Sequence, residues 1–238
     1  MSTTRNYAVF LILTTLGCDR AAPPEGHASP SVAPTVATTA APSASAPSAS
    51  TPTVAVAAAT VGQVAPEFSL PDIEGKAVSL ADFKGKVVVL EWFNPGCPFV
   101  RAAHTKGSLV DAAKRARQAG VVWLAINSGA VGQQGHGAEA NRKGVETFGL
   151  EHPVLLDEDG KVGRSYGAAR TPHLFVIDAE GKLAYAGAVD NSPDGEGEAA
   201  EGGKLIRYVD QALAELAAKK PVSVPSTKAY GCSVKYGK

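Results

Sequence analysis

One apolar run, Val87-Val88-Val89-Leu90-Glu91-Trp92-Phe93, does most to limit how this chain can fold. Almost every position is apolar, which is typical of a strand buried on both faces within a helix-covered sheet. A short turn, Asn94-Pro95-Gly96, then leads to Cys97 and Pro98. Because apolar residues recur at helical spacing from here to Gln118, the run predicts a strand that passes directly into a helix.

Cys97 lies where the predicted sheet meets this helix. Backbone amides and the positive end of the dipole at a helix N-terminus favour the thiolate, which is the reactive form of cysteine. The position therefore predicts sulfur redox chemistry. The residue three positions on is Val100, so the local dithiol of many disulfide-exchange enzymes is missing, and a partner thiol must come from Cys18 or Cys232.

The other predicted elements alternate between strands and helices. A short hairpin is expected over 62–80, and the helix after Cys97 is expected to end at Gly120. The remaining predictions are strands over 121–127, 154–156, 173–178 and 183–188 and helices over about 138–148, 162–166 and 204–218. This order predicts an α/β sandwich with a central mixed β-sheet flanked by helices.

The first 18 residues have the features of an export signal, with Arg5 before an apolar stretch and Gly17 before Cys18. They resemble a lipoprotein signal, in which the cysteine is lipidated, although Thr15 replaces the usual Leu. Ordinary secretory cleavage or a retained anchor are the alternatives. All three place the domain outside the cytoplasm. We predict a location in the cell envelope, where lipidation of Cys18 would attach the protein to a membrane, facing the periplasm or the exterior.

Residues 19–60 are mostly Ala, Pro, Ser, Thr and Val, a composition that cannot bury enough surface to offset its ordering entropy. We predict a disordered linker there, an ordered domain over 61–222, and a tail over 223–238 that carries Cys232. The formal net charge of +0 argues against nucleic acid as a partner. No later apolar run is long enough to cross a bilayer.

The order of elements and four motifs together resemble the thioredoxin-like superfamily. More narrowly, they resemble its redoxin branch, which includes the alkyl hydroperoxide reductase and thiol-specific antioxidant family. The resemblance covers 61–222, and the motifs are Val64-Ala65-Pro66-Glu67-Phe68-Ser69-Leu70, Gly85-Lys86-Val87-Val88-Val89-Leu90, Cys97-Pro98-Phe99 and Thr171-Pro172. It implies a thioredoxin-like sandwich and a thiol-dependent oxidoreductase of antioxidant type without a cofactor.

The same resemblance implies a substrate site around Cys97. Thr171-Pro172 would be a cis peptide that faces the cysteine and helps to hold a substrate in extended form. Pro98 and Phe99, directly after the cysteine, are assigned to this substrate site as well.

Two departures from the family patterns leave the oxidant open. Val100 removes the internal exchange route of thioredoxin, and the Pro and Thr that precede the peroxide-attacking cysteine of peroxiredoxins have no counterpart. An Arg polarises the peroxide in that family, and Arg101 and Arg170 are candidates that no motif assigns. The substrate is therefore a peroxide or a disulfide, with an external thiol as reductant.

Cys232 is the candidate partner of Cys97, and similar Gly-Cys tails accompany a single helix-start cysteine in bacterial redoxin-domain proteins. We hypothesise that Cys232 resolves Cys97, by attacking its sulfenic acid or its mixed disulfide. A permanent structural disulfide between them has nearly equal weight, since two cysteines in an oxidising compartment often simply pair. A non-catalytic peptide-binding module with that structural disulfide is the alternative function.

Metal binding is weighed at one acidic stretch, 190–201, which resembles a calcium loop. A preceding strand and Gly197 depart from the EF-hand pattern, so a solvated acidic loop is favoured. The histidines lack a metal-ligand spacing with Cys97, and no metal site is assigned. His104 is expected to be a partly exposed helix residue and His152 to be solvated.

Overall fold

The computed structural model describes residues 58–199 and 203–238. The predicted export signal, Cys18 and almost all of the linker predicted over 19–60 lie outside these ranges. Within them, no helix has both the length and the apolar character needed to cross a membrane.

Nine strands and five helices make up the described part of the chain. In chain order they are β1 (Ser69–Pro71), β2 (Ala77–Ser79), β3 (Val88–Trp92), α1 (Pro98–Thr105), α2 (Ala112–Gln118), β4 (Val122–Asn127), α3 (Gly137–Phe148), β5 (Val154–Leu156), α4 (Lys161–Tyr166), β6 (Arg170–Thr171), β7 (His173–Ile177), β8 (Leu183–Gly187), α5 (Tyr208–Ala217) and β9 (Cys232–Ser233). A short 3-10 helix, Leu80–Phe83, follows β2.

The central sheet has five strands in the order β5-β4-β3-β7-β8. Its β3 pairs in parallel with β4 and antiparallel with β7, so the sheet is mixed. All five residues of β3 are buried, as its apolar sequence predicts for a strand covered on both faces. The predicted α/β sandwich with a central mixed sheet is confirmed.

Side chains of β3 alternate between two hydrophobic layers. Leu90 and Trp92 pack with the β1–β2 hairpin and β7 on one face, and Val89 packs with Trp123, α2 and α5 on the other. The predicted hairpin is present as the separate two-stranded sheet of β1 and β2. The sheet is thus enclosed on both sides, and its β3 end carries the turn that leads to Cys97.

The helix predicted from Cys97 to Gln118 is broken, and in this respect the prediction is wrong. Helix α1 ends at Thr105 and α2 begins at Ala112. A Cβ at Gly107 would collide with the carbonyl oxygen of Gly195, so the loop after β8 packs directly against the chain at this break. The final helix is also shorter than predicted, since it begins at Tyr208.

The C-terminal tail packs on the domain. The Pro225 carbonyl accepts from Ala186 N at 3.1 Å, and Thr227 N donates to the Ala186 carbonyl at 3.1 Å, along β8. Further on, β9 pairs antiparallel with β6, a pairing of two-residue strands that the sequence did not predict.

Candidate functional site

Cys97 is the N-cap residue of α1, directly after the turn that ends β3. Its backbone N donates to the Asn94 carbonyl at 3.0 Å, and the Asn94 Oδ1 accepts from Gly96 N at 2.9 Å. Asn94 Nδ2 in turn donates to the Gln134 carbonyl at 3.1 Å, which fixes the turn to the glycine-rich loop after β4. The cysteine is therefore held rigidly at a helix N-terminus, and it is 0% exposed.

Thr171 and Pro172 lie against this cysteine. The peptide bond between them is cis, as the family resemblance implied. The Cys97 thiol donates to the Thr171 carbonyl at 3.1 Å. Residues 74 positions apart in the chain thus meet at one sulfur atom.

Cys232 completes the group. Its register partner across β6 and β9 is Thr171, the residue whose carbonyl Cys97 contacts. Cys232 also packs against the hydrophobic cluster that contains Cys97. Both cysteines are free thiols, so the structure shows the reduced pair side by side.

The two thiols have opposite shifts in acidity. Burial would raise the pKa of Cys97, but hydrogen bonds from the Cys232 thiol, from the Thr171 side chain and from the backbone of Val100 outweigh it, so this pKa lies below the usual value. Burial raises the pKa of Cys232 to about 11, with further contributions from the Cys97 hydrogen bond and charge. Cys97 is therefore the thiol that ionises first, and Cys232 is its hydrogen-bond donor.

The other residues assigned to the substrate site lie close by. Pro98 is the first residue of α1, and the ring of Phe99 packs against that of Tyr230 with centroids 6.3 Å apart. The two candidate arginines are both exposed and each contacts another side chain. Arg170 donates to the Ser233 Oγ at 3.1 Å, and the Arg101 guanidinium lies 5.7 Å from the centre of the Phe148 ring.

A buried polar cluster on the same side of the sheet as α1 was missed by the sequence reasoning. Glu91 is 0% exposed, and its two carboxylate oxygens pair with His104 Nε2 at 2.7 Å and with Trp123 Nε1 at 3.0 Å. Burial would raise the pKa of Glu91, but the charge and hydrogen bond of His104 lower it below the usual value. His104 lies on α1 and is partly exposed as a residue, as predicted, but its side chain is only 5% exposed because the ring points to Glu91.

His152 differs from its expected position. It is 6% exposed rather than solvated, and burial lowers its pKa to about 4. A charged residue inside an otherwise apolar strand, Glu91, was the signal that could have pointed to this cluster, because a buried carboxylate requires partners.

The acidic stretch after β8 is only partly solvated. Asp190 and Ser192 are buried, whereas Asp194 and Glu198 are exposed. Within residues 58–199 and 203–238, no group of three or more His, Cys, Asp or Glu side chains is arranged to hold a metal ion.

Comparisons with known proteins agree with this geometry. The Redoxin family model matches residues 60–202. Thiol-disulfide oxidoreductase ResA of Geobacillus thermodenitrificans is 35% identical over 127 residues, which cover 53% of this chain and 68% of that protein. Its namesake in Bacillus subtilis is 30% identical over 122 residues, which cover 51% of this chain and 64% of that protein. The match thus spans about two thirds of these relatives' length.

Two solved structures are similar over most of the described chain. An uncharacterized conserved protein from Geobacillus kaustophilus has 31% identity and a TM-score of 0.65, and the match covers 75% of this chain and 93% of that one. A hypothetical protein from Sinorhizobium meliloti has 27% identity and a TM-score of 0.64, with coverage of 75% and 95%.

Proposed function

The chain belongs to the Redoxin family, and from this premise we propose that it exchanges thiols with disulfides, using Cys97 as nucleophile and Cys232 as resolving thiol. Its relatives are named thiol-disulfide oxidoreductases. The prediction of a thiol-dependent oxidoreductase of the redoxin family is therefore confirmed at that level. The roles of the two cysteines and the nature of the oxidant are the proposal.

In the first step the Cys97 thiolate attacks one sulfur of a substrate disulfide. A Cys97–substrate disulfide forms, the substrate's S–S bond breaks, and its other sulfur leaves as thiolate. The N-terminus of α1 stabilises the attacking anion, and the thiol of Cys232 stabilises the Cys97 thiolate while the tail is in place, before substrate enters.

In the second step Cys232 loses its proton to solvent and attacks the Cys97 sulfur. The Cys97–Cys232 disulfide forms, and the reduced substrate leaves as thiolate. The hydrogen bond to Cys97 and its negative charge are two of the causes that raise the pKa of Cys232. Both disappear once Cys97 is in a mixed disulfide, so the resolving thiol becomes easier to ionise when it is needed. An external thiol then reduces the internal disulfide.

The observation that carries the proposal is the register of β9, which sets Cys232 opposite Thr171 and thus beside the Cys97 sulfur. A disulfide is favoured over a peroxide as oxidant because the relatives are named thiol-disulfide oxidoreductases, and because the Pro and Thr that precede the peroxide-attacking cysteine of peroxiredoxins have no counterpart here. Peroxide reduction, the antioxidant reaction of the wider family, is the alternative that the test below distinguishes.

We further propose that the enzyme works in the cell envelope, on the periplasmic or exterior side. The features of the first 18 residues support export, with lipidation of Cys18 as the proposed attachment to the membrane. An oxidising compartment supplies disulfide substrates, and a reducing partner there would regenerate the thiols.

The test compares the reduced wild-type protein with Cys97→Ser and Cys232→Ser variants, using insulin as disulfide substrate and dithiothreitol as reductant. We expect Cys97→Ser to reduce insulin no faster than dithiothreitol alone. Cys232→Ser should accumulate a mixed disulfide that mass spectrometry detects. Insulin reduction that is unchanged in Cys97→Ser would contradict the proposal.

Two further measurements separate the alternatives. Oxidation of reduced wild type by hydrogen peroxide at a rate far above that of a free thiol would assign a peroxide substrate instead. A reduction potential of the Cys97–Cys232 disulfide below about −300 mV would make the bond structural and favour the non-catalytic binding module.

A further inference from the structure

Tyr230 attaches the tail to the domain two residues before Cys232. Its hydroxyl donates to Asp190 Oδ1 at 2.7 Å, and the same oxygen accepts from Ser192 N at 2.9 Å. Asp190 is 1% exposed, and its second oxygen is buried without a partner among the described residues. The carboxylate thus depends on few donors, and losing the one from Tyr230 would be costly.

The same tyrosine also contacts the helix that carries Cys97. Its ring packs on Phe99, and a Cβ at Gly195 would lie 3.4 Å from Tyr230 Cε2 and 3.2 Å from the Phe99 carbonyl oxygen. Burial and the nearby Asp190 raise the pKa of Tyr230, so its hydroxyl remains a donor throughout the physiological range. The hydroxyl of Tyr230 can therefore donate to Asp190 at any pH in this range while the tail is in place.

The tail is one of the segments that cover Cys97. The fully buried neighbours in the Cys97 cluster, Phe93, Val100, Ala125 and Val154, lie on or next to the central sheet and α1, whereas Cys232 comes from the tail and is only partly buried. Since Cys97 is 0% exposed, a substrate sulfur cannot reach it while β9 remains paired with β6. Exchange with an outside disulfide therefore requires the tail to detach.

From these contacts we propose that Tyr230 and Asp190 are positioning residues that latch the tail, holding Cys232 at Cys97 and closing Cys97 to outside chains. When the latch opens, the Cys97 sulfur and the edge of β6 become free together. An extended segment that carries a disulfide-bonded cysteine fits this edge, because it can make the hydrogen bonds that β9 gives up. This inference rests on the proposed exchange reaction.

The return of the tail to its closed position then couples resolution of the mixed disulfide to release of the substrate. Cys232 reaches Cys97 only by pairing again with Thr171, at the edge that the substrate strand occupies. Closing the tail therefore resolves the mixed disulfide and expels the reduced substrate in the same movement. A weaker latch should change the two steps in opposite directions, with entry faster and resolution slower.

The experiment uses reduced full-length protein and a short unstructured peptide whose single cysteine is disulfide-bonded to 5-thio-2-nitrobenzoate. Attack of Cys97 on the peptide sulfur releases the coloured thiolate and reports entry. Release of the peptide thiol, followed by quenched mass spectrometry, reports attack of Cys232 on the mixed disulfide. Tyr230→Phe removes only the latch hydroxyl, and Asp190→Asn keeps the shape but removes the charge.

The matched control is Tyr236→Phe, which removes a tail hydroxyl that donates to the Ala168 carbonyl at 2.7 Å, outside the latch. We expect Tyr230→Phe to enter up to about tenfold faster and to resolve about tenfold slower, given the strength of a hydrogen bond to a charged group. Asp190→Asn should show a smaller change of the same two signs. Tyr236→Phe should leave the ratio of the two rates within about twofold of wild type.

The outcomes separate this inference from the proposed function. Equal rates in Tyr230→Phe and Tyr236→Phe, with normal formation of the Cys97–Cys232 disulfide, would overturn the latch alone. A slowing of both steps in Tyr230→Phe would also overturn it, since general loosening of the site would then be the cause. A wild-type protein that releases no coloured thiolate would overturn the exchange reaction itself.

Discussion

Two ionisable side chains beneath the site, Glu91 and His152, are buried, and each is accommodated in a different way. Glu91 is fully enclosed, yet its carboxylate has an ion pair with His104 and a hydrogen bond from Trp123, which offset the cost of desolvation. His152 lies next to the same tryptophan, with ring centroids 6.2 Å apart, and its Nε2 is buried without a partner among the described residues. Its low pKa keeps this imidazole neutral at pH 7.

This burial predicts a loss of stability in mild acid. The pKa of His152 is about 4 in the folded protein against 6.5 as its ordinary value, so the unfolded chain binds more protons between these two pH values. The contribution of His152 to the free energy of unfolding is therefore fully present above pH 6.5. It is lost as the pH is lowered towards 4, by at most about 1.4 kcal/mol per pH unit. Of the charged groups that face the imidazole, Glu91 raises its pKa, whereas His104 and Arg117 lower it.

Urea unfolding at pH 7 and pH 5 measures this contribution. We expect the difference between the two free energies of unfolding to be smaller in His152→Gln than in wild type, by up to about 2 kcal/mol. His173, whose pKa burial also lowers to about 4, remains in both proteins and preserves part of the slope. His136→Gln, at a more exposed ring, is the control, and an unchanged slope in His152→Gln would contradict the prediction.

Among the helices and strands, those with a long hydrophobic pattern could be predicted from the sequence, and the short ones could not. Long runs such as 87–93 and 121–127 identify their strands because burial imposes a pattern over many residues. Strands β6 and β9 have two residues each, which is too short for any pattern, and they form only because the fold brings them together. Cys97 was therefore predicted from local sequence, whereas its contact with Cys232 depended on family resemblance and remained a hypothesis.

The break between α1 and α2 shows a second limit. Apolar residues recur at helical spacing from Cys97 to Gln118, so the pattern alone favours a continuous helix, although Gly107 itself is a poor helix former. At the break, the loop of Gly195 and Gly197 lies directly against this glycine, which the sequence could not reveal. Lys106 adds an ion pair to Glu196 at 3.0 Å, so the loop that supports the latch also contacts the end of the helix of Cys97.

Gly107→Ala should therefore destabilise the protein through a collision rather than through helix propensity. Its Cβ would overlap the Gly195 carbonyl oxygen and come within 2.9 Å of the Ala103 Cα. We expect a loss of about 2–4 kcal/mol in the free energy of unfolding by urea. The control is Gly120→Ala, where φ is +82° but nothing lies within 4 Å of the added atom, so about 1 kcal/mol is expected. An equal loss of unfolding free energy in both variants would contradict this prediction, because it would mean that the Gly195 loop moves aside without cost.

At the scale of the whole described domain, the tail connects parts of the fold that are distant in sequence. It runs along β8 at Thr227, crosses Cys97 at Cys232, and continues to α4, where the Arg164 guanidinium lies 4.5 Å from the centre of the Tyr236 ring. The site is complete only when this last segment is in place. Oxidation of the cysteine pair would therefore fix covalently an arrangement that the reduced protein holds by hydrogen bonds and packing.

Disulfide formation should raise stability strongly, because the bond would close a loop of about 135 residues in the unfolded chain. The chain-entropy estimate for so long a loop is about 4–5 kcal/mol, which corresponds to roughly 10 °C or more in the melting temperature. Calorimetry of the oxidised and reduced wild type measures the difference, and Cys232→Ser should melt at the same temperature under both conditions. Equal melting temperatures for oxidised and reduced wild type, with the disulfide verified by mass, would mean that closing the bond strains the domain by as much as the constraint gains. A stability gain of the expected size also makes the disulfide harder to reduce, so the external thiol must be a stronger reductant than for an unconstrained pair.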